Sequence, residues 1–145
     1  MSQASTSLSQ ASTPVTEANP ELIRLLVIDD DPLQLRLVER ALSGAGFEIR
    51  VVDTIAALAA EAPRFSPDIV LVDVNLPDVQ PEQTIRLARD LARGAHIVLY
   101  SAWEESKLRA LVKQVGADAF ISKSESVLAI GPRLRQLRAT PVAPR

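Results

Sequence analysis

The sequence predicts an α/β domain, a parallel sheet covered by helices on both faces. Three observations carry this. Five short runs of β-branched and aliphatic residues alternate with five helical patterns between residues 25 and 138, and such alternation builds parallel βαβ units. The third run, Ile69–Val72, is apolar at every position, as in a strand buried on both faces. Proline, glycine and small polar residues punctuate the runs where crossover turns are needed. Right-handed crossovers leave few topologies for such a chain.

The first strand is read at Leu25–Ile28. Asp31 and Pro32 follow as an N-cap and a proline of the first helical turn. That helix carries Leu35, Val38, Leu42 and Ala45 at spacings of three, four and three, a single apolar stripe. Gly44 and Gly46 end it. Phe47–Val52 is the second strand. Thr54 caps an alanine-rich helix expected to stop before Pro63. After the third strand, Pro81 opens a helix bearing Ile85, Ala88 and Ala92. Ile97–Tyr100 is the fourth strand. A helix beginning near Trp103, with Leu108, Leu111, Val112 and Val115, runs to Gly116. Ala119–Ile121 is the fifth strand. The last helix carries Val127, Ile130, Leu134 and Leu137, and Gly131-Pro132 inside it should kink or divide it.

Composition narrows the function. A length of 145 residues supports one core. Sixteen Lys and Arg against 18 Asp and Glu leave a net charge of −2. That excludes a chain held to nucleic acid by its overall charge. The absence of cysteine excludes disulfides and thiolate metal sites. The single histidine, His96, excludes a multi-histidine centre. It starts the fourth strand, at the end away from Ser101, and is read as a surface or rim residue. No apolar run approaches the ~20 residues that span a bilayer, and the N-terminus lacks the pattern of a signal peptide. A cytoplasmic location is the resulting expectation. Residues 1–21, rich in Ser, Thr, Gln and Ala, are expected to be a disordered tail. The domain is placed at 22–138 and a flexible tail at 139–145. Arg133, Arg135, Arg138 and Arg145 are read as a solvated helix face and tail.

In an open parallel sheet, ligands bind beyond the carboxyl ends of the strands. Four of those ends carry polar residues: Asp29, Asp30 and Asp31 after strand one, Asp73 and Asn75 after strand three, Ser101 after strand four, Lys123 after strand five. Singly each has an ordinary reading. Asp31 is a helix cap, Ser101 a turn residue, Lys123 a surface lysine. Together they gather carboxylates, a hydroxyl and a cation on one rim. An all-oxygen set without histidine or cysteine suits Mg²⁺, which is commonly completed by a phosphate oxygen. Asp73 is then a candidate nucleophile for an aspartyl phosphate. Lys123 would neutralise the phosphate and Ser101 would donate a hydrogen bond to it.

The segments LLVIDDDP, DIVLVDVNLPD, IVLYSAW and GADAFISKS, in that order, resemble the receiver domain of bacterial response regulators. The resemblance implies a flavodoxin-like fold with strand order 2-1-3-4-5. It implies Asp73 as phosphoacceptor. Asp30 is implied as a direct Mg²⁺ ligand, Asp29 as one acting mostly through water, and Asn75 as lending its backbone carbonyl. It implies Ser101 and Phe120 as the switch pair, Lys123 as the phosphate contact and Trp103 as a residue at the pocket rim. The implied donor is a sensor histidine kinase or a histidine phosphotransferase. The implied readout is an output protein or domain that senses the surface of helix four, strand five and helix five. A weak homodimer is admitted. Direct nucleic-acid binding, a membrane and enzymatic turnover beyond self-phosphorylation and self-dephosphorylation are not implied.

The chain departs from the family pattern at four places. Pro81 stands where a glycine is usual, so the loop 78–82 should be stiffer or differently shaped. Ser124 replaces the proline that often follows the lysine. Phe120 brings no hydroxyl. A broken last helix would work against a dimer built on the usual strand-five face. Two other readings compete with this one. A phosphatase or phosphotransferase with an aspartyl intermediate on another fold would place its nucleophile on strand one, which the lone acid of strand three argues against. A pseudo-receiver that never takes phosphate is opposed by the intact Asp29, Asp30, Asp73, Ser101 and Lys123. At this length the chain is either a stand-alone receiver or a fragment of a longer DNA-binding regulator.

Overall fold

The structure, a computed structural model, describes residues 22–143. The tail reading of 1–21 and Arg145 lie outside the described residues. The elements are β1 (Ile23–Ile28), α1 (Pro32–Leu42), β2 (Phe47–Val52), α2 (Ile55–Phe65), β3 (Ile69–Asp73), α3 (Pro81–Leu91), β4 (His96–Ser101), α4 (Glu105–Val115), β5 (Ala119–Ser122), a 3₁₀ turn (Val127–Ala129) and α5 (Ile130–Arg138). The five strands form one parallel sheet in the order β2-β1-β3-β4-β5. This is the expected fold.

Strand alternation divides the core into two layers. Leu26 and Ile28 of β1, Val70 and Val72 of β3, and Ile97 and Leu99 of β4 pack with Leu58, Ile85 and Leu108 of α2, α3 and α4. Their neighbours Leu25, Val27, Ile69, Leu71, Val98 and Tyr100 point the other way, onto Leu35, Val38 and Leu42 of α1 and Leu134 of α5. Each fully buried aliphatic side chain contributes roughly 1.5–3 kcal/mol. The three central strands are therefore the rigid floor on which the site is mounted.

The caps form as their residues dictate. Asp31 Oδ1 accepts from the Leu33 amide at 3.0 Å and Thr54 Oγ1 from the Ala57 amide at 3.0 Å. Three details differ from the sequence reading. First, α2 runs through Pro63 to Phe65. The carbonyl that loses its partner belongs to Ala59, which is exposed to water, and the extra turn buries Phe65. Second, the last helix is divided, as expected, but between Ala129 and Ile130, so that Gly131-Pro132 belongs to the first turn of the α-helical part, after the 3₁₀ turn. There the missing proline N–H has no intrahelical partner to lose. Gly131 also packs closely, since a Cβ on it would lie 3.1 Å from Leu42 Cδ2.

Third, His96 is buried rather than exposed. Its Nε2 lies 2.8 Å from the Thr140 carbonyl, brought there by the chain leaving α5. The same segment returns under the sheet, where the Ala143 amide donates to Asp118. The arginines of α5 are exposed, as read from the sequence, and their guanidinium tips also bond the fold. Arg133 bonds Glu125 and the Phe120 carbonyl, Arg135 the Ala45 carbonyl, and Arg138 the Asp68 carboxylate.

Candidate functional site

The strand order sets β1 beside β3, β3 beside β4 and β4 beside β5. The first pair is the switch point, because the connections from β1 and β3 leave in opposite directions along the sheet. Ile28 pairs with Val72, Asp73 with Tyr100 and Ser101 with Ser122. Asp29, Asp73, Ser101 and Lys123 therefore end neighbouring strands on one rim, as their sequence positions imply.

Alternation also fixes the side each one faces. Asp29 continues Leu25 and Val27, Asp73 continues Ile69 and Leu71, and Lys123 follows Ile121, so all three lie on the α1/α5 side with Tyr100. Ser101 and Phe120 belong to the opposite side, with the layer of α2, α3 and α4. The rim thus carries a charged group on one side and Ser101 with Phe120 on the other.

The charged group is tightly wired. Lys123 Nζ lies 2.9 Å from Asp29 Oδ2 and 3.6 Å from Asp73 Oδ1. Asp29 Oδ1 accepts from the Asp31 amide at 3.0 Å, and Asp73 Oδ1 from the Asn75 amide at 3.0 Å. Asp29 and Asp73 are buried, whereas Asp30 is exposed. One oxygen from each of Asp29, Asp30 and Asp73 lies within 4.8 Å of the others. A close set of hard oxygen donors with a buried floor and an open edge fits Mg²⁺.

Ser101 is buried, and its Oγ accepts from the Trp103 amide at 2.9 Å. Its O–H remains available as a donor. Trp103 is half-buried against the α2–α4 layer, with Lys107 Nζ 4.7 Å from its ring centre. Phe120 is half-buried, with Arg109 against its ring. Asn75 is exposed. In the loop leading to α3, Asp78 takes the left-handed conformation with φ 62°, which aspartate tolerates better than most residues. That leaves Pro81 free to open α3, where Gln83 Oε1 accepts from the Gln80 amide at 3.0 Å.

Two residues of this group were not singled out in the sequence. The Tyr100 hydroxyl accepts from Gln34 Nε2 at 2.6 Å, and its ring lies 5.2 Å from Lys123 Nζ. Burial, and then the charge of Asp29, push the Tyr100 phenol up to about 12. The only signal was a tyrosine in an otherwise aliphatic buried strand.

Asp73 is pushed up to about 6. Burial is the main cause. The Asn75 amide and Lys123 oppose it, and the Asp29 charge reinforces it. In metal-free solution the native state then holds a proton that the unfolded chain releases near pH ~4. Stability should fall as pH rises from about 4 through about 6, and level off above that. Asp73→Asn removes this cost. At about pH 7 it should raise the unfolding free energy by roughly 1–2 kcal/mol, allowing for solvent screening. The gain should vanish near pH ~4. Urea unfolding of both proteins checks this, and equal midpoints at neutral pH would contradict it.

The sequence profile of the response regulator receiver domain matches residues 25–133. The chain belongs to the response regulator receiver family. The receiver is 29% identical over 120 residues to the probable transcriptional regulatory protein TcrX of Mycobacterium tuberculosis, covering 83% of this chain and 51% of that protein. It is 31% identical over 115 residues to the KDP operon transcriptional regulatory protein KdpE of Escherichia coli, covering 79% and 50%. The receiver thus spans about half the length of these curated relatives. Among solved structures, it matches the signal receiver domain of the putative response regulator NarL from M. tuberculosis. That match has a TM-score of 0.72 and 27% identity, over 82% of this chain and 98% of the other. A CheY-like receiver from Methanospirillum hungatei has the same fold at TM-score 0.72 and 22% identity, covering 81% and 94%. Among the described residues of the receiver, no helix is long and apolar enough to cross a membrane.

Proposed function

We propose that this receiver accepts a phosphoryl group on Asp73 from a phosphohistidine donor, with Mg²⁺, and presents the result on the α4–β5–α5 surface. The observation that carries this is the gathering of a buried Asp73 with the Lys123 ammonium and two further carboxylates on one rim. A carboxylate oxygen of Asp73 attacks phosphorus as the bond to the donor imidazole nitrogen breaks. Asp29, Asp30, Asp73 and the Asn75 carbonyl would hold the Mg²⁺. When bound, the ion neutralises charge on the transferring phosphoryl group.

The residues of the chain divide the remaining work. Lys123 offers its ammonium to a phosphoryl oxygen. Ser101 donates the O–H that the Trp103 amide leaves free. A phosphoryl group that draws Ser101 inward favours an inward Phe120, and so shifts a pre-existing equilibrium of the surface. The donor would be a histidine kinase or histidine phosphotransferase. The exposed Leu33 and Leu37 of α1, with Leu128 of the adjoining 3₁₀ turn, offer it apolar anchors beside the rim.

The test is incubation with acetyl phosphate and Mg²⁺, followed by intact mass. One hydroxylamine-labile phosphoryl group per chain is expected, and no uptake would reject the proposal.

Trp103 supplies a finer prediction. Its half-buried indole follows directly on the Ser101 turn and should shield the phosphoryl group from in-line water. Trp103→Ala should shorten the lifetime of the phosphorylated form by up to about tenfold, or roughly 1.4 kcal/mol of barrier, without preventing its formation. Timed loss of label from the two proteins measures this. An unchanged or slower loss would leave Trp103 as packing alone.

A further inference from the structure

Lys123 must meet two demands in this site. It has a flexible four-carbon stem whose rotamer freedom opposes any fixed position. Yet its Nζ sits between two buried carboxylates, close enough to Asp29 for a direct bond. The two ion contacts act only at the tip of the side chain. What lies beside the tip is the face of Tyr100, whose ring centre is 5.2 Å from Nζ.

The ring is itself enclosed. Tyr100 is a strand residue, 3% exposed, packed in the layer beneath α1 and α5. It pairs in register with Asp73 on one side and Ile121 on the other, so its ring rises between the nucleophile and the lysine strand. Its hydroxyl is held by Gln34 of α1 at 2.6 Å. A cation over a fixed aromatic face is attracted by the ring quadrupole, and more strongly where water is scarce. The ring therefore both attracts the ammonium and walls off rotamers that would take it away from the carboxylates.

We propose that Tyr100 is a positioning residue that holds the Lys123 ammonium over Asp29 and Asp73, with Gln34 fixing the ring from α1. The proposal rests on the phosphoacceptor reading for its effect on uptake, but not for the placing of Lys123. The aromatic face is the active element. The hydroxyl serves to hold the ring in place.

The experiment uses the whole chain with the ε-carbons of lysine labelled with ¹³C. The chain has three lysines, Lys107, Lys113 and Lys123, so assignment by Lys123→Ala is direct. In metal-free protein, the Lys123 ε-protons should be shifted by the Tyr100 ring current. Tyr100→Phe should keep that shift, and Tyr100→Leu should abolish it. Uptake from acetyl phosphate with Mg²⁺ should stay within about twofold of the parent in Tyr100→Phe, and fall about 3- to 10-fold in Tyr100→Leu. In a Lys123→Ala background, Tyr100→Leu should cost nothing further.

Should Tyr100→Leu fail to fold, Tyr100→Met tests the same loss of the ring with less change in volume. A folded, ring-less variant with the Lys123 shift intact would overturn the proposal. So would one with parental uptake, or losses that add in the double variant. Failure of the parent to take up phosphoryl at all would reject the phosphoacceptor reading, while the metal-free shift still decides the placing of Lys123.

Discussion

Asp73→Asn is expected to take up no phosphoryl group from acetyl phosphate under conditions that label the parent fully. The amide has no lone pair of comparable basicity, so the rate should drop at least about 100-fold. The variant is well suited to the comparison because Asn is nearly isosteric and removes only the charge. It should also be the more stable protein at neutral pH, since it no longer buries an ionised group. Loss of labelling therefore cannot be ascribed to unfolding. Full labelling of Asp73→Asn would sink the assignment of the nucleophile.

Asp30→Ala is expected to weaken Mg²⁺ binding at least about tenfold, since a hard ligand and its charge are lost together. The geometry explains why this acid should matter most. Both oxygens of Asp29 are engaged, one by the Asp31 amide and the other by Lys123. Asp73 Oδ1 takes the Asn75 amide. Asp30 is exposed beside them, and its oxygen is within reach of the same point. Asp31→Ala is the control. Its Oδ1 caps α1 at the Leu33 amide, so it should lower stability by about 1 kcal/mol and leave the metal affinity nearly unchanged. Calorimetric titration of the three proteins decides. Parental affinity in Asp30→Ala would remove that residue from the ligand set.

The architecture was legible because it rests on local signals. Runs such as Ile69–Val72 demand burial on both faces, and the residues that follow them directly must lie at strand ends. Once the strands are parallel, those ends share a rim, so Asp29, Asp73, Ser101 and Lys123 converge without knowledge of any contact.

What was missed depends on partners distant in sequence. Tyr100 and Gln34 are 66 residues apart, and nothing in IVLYSAW shows that α1 will bring an amide to that hydroxyl. His96 looked like a strand-start residue at the edge, because the segment that buries it returns from Thr140. Pro63 and Gly131-Pro132 were read by their local cost alone. Burial of Phe65 outweighs the first. The second incurs no cost, because the helix starts at Ile130. Local propensity yields to tertiary packing at such places.

The central claim is that the phosphoryl group sits on Asp73, and its chemistry allows a direct reading. An acyl phosphate is reduced by borohydride to the corresponding alcohol, which turns an aspartyl phosphate into homoserine. The protein should be phosphorylated with acetyl phosphate and Mg²⁺, reduced and digested, and its peptides sequenced by mass spectrometry. The account predicts homoserine at position 73, in proportion to the label taken up, and none when Mg²⁺ is withheld. Label without homoserine at 73, or homoserine in place of Asp29 or Asp30, would contradict it.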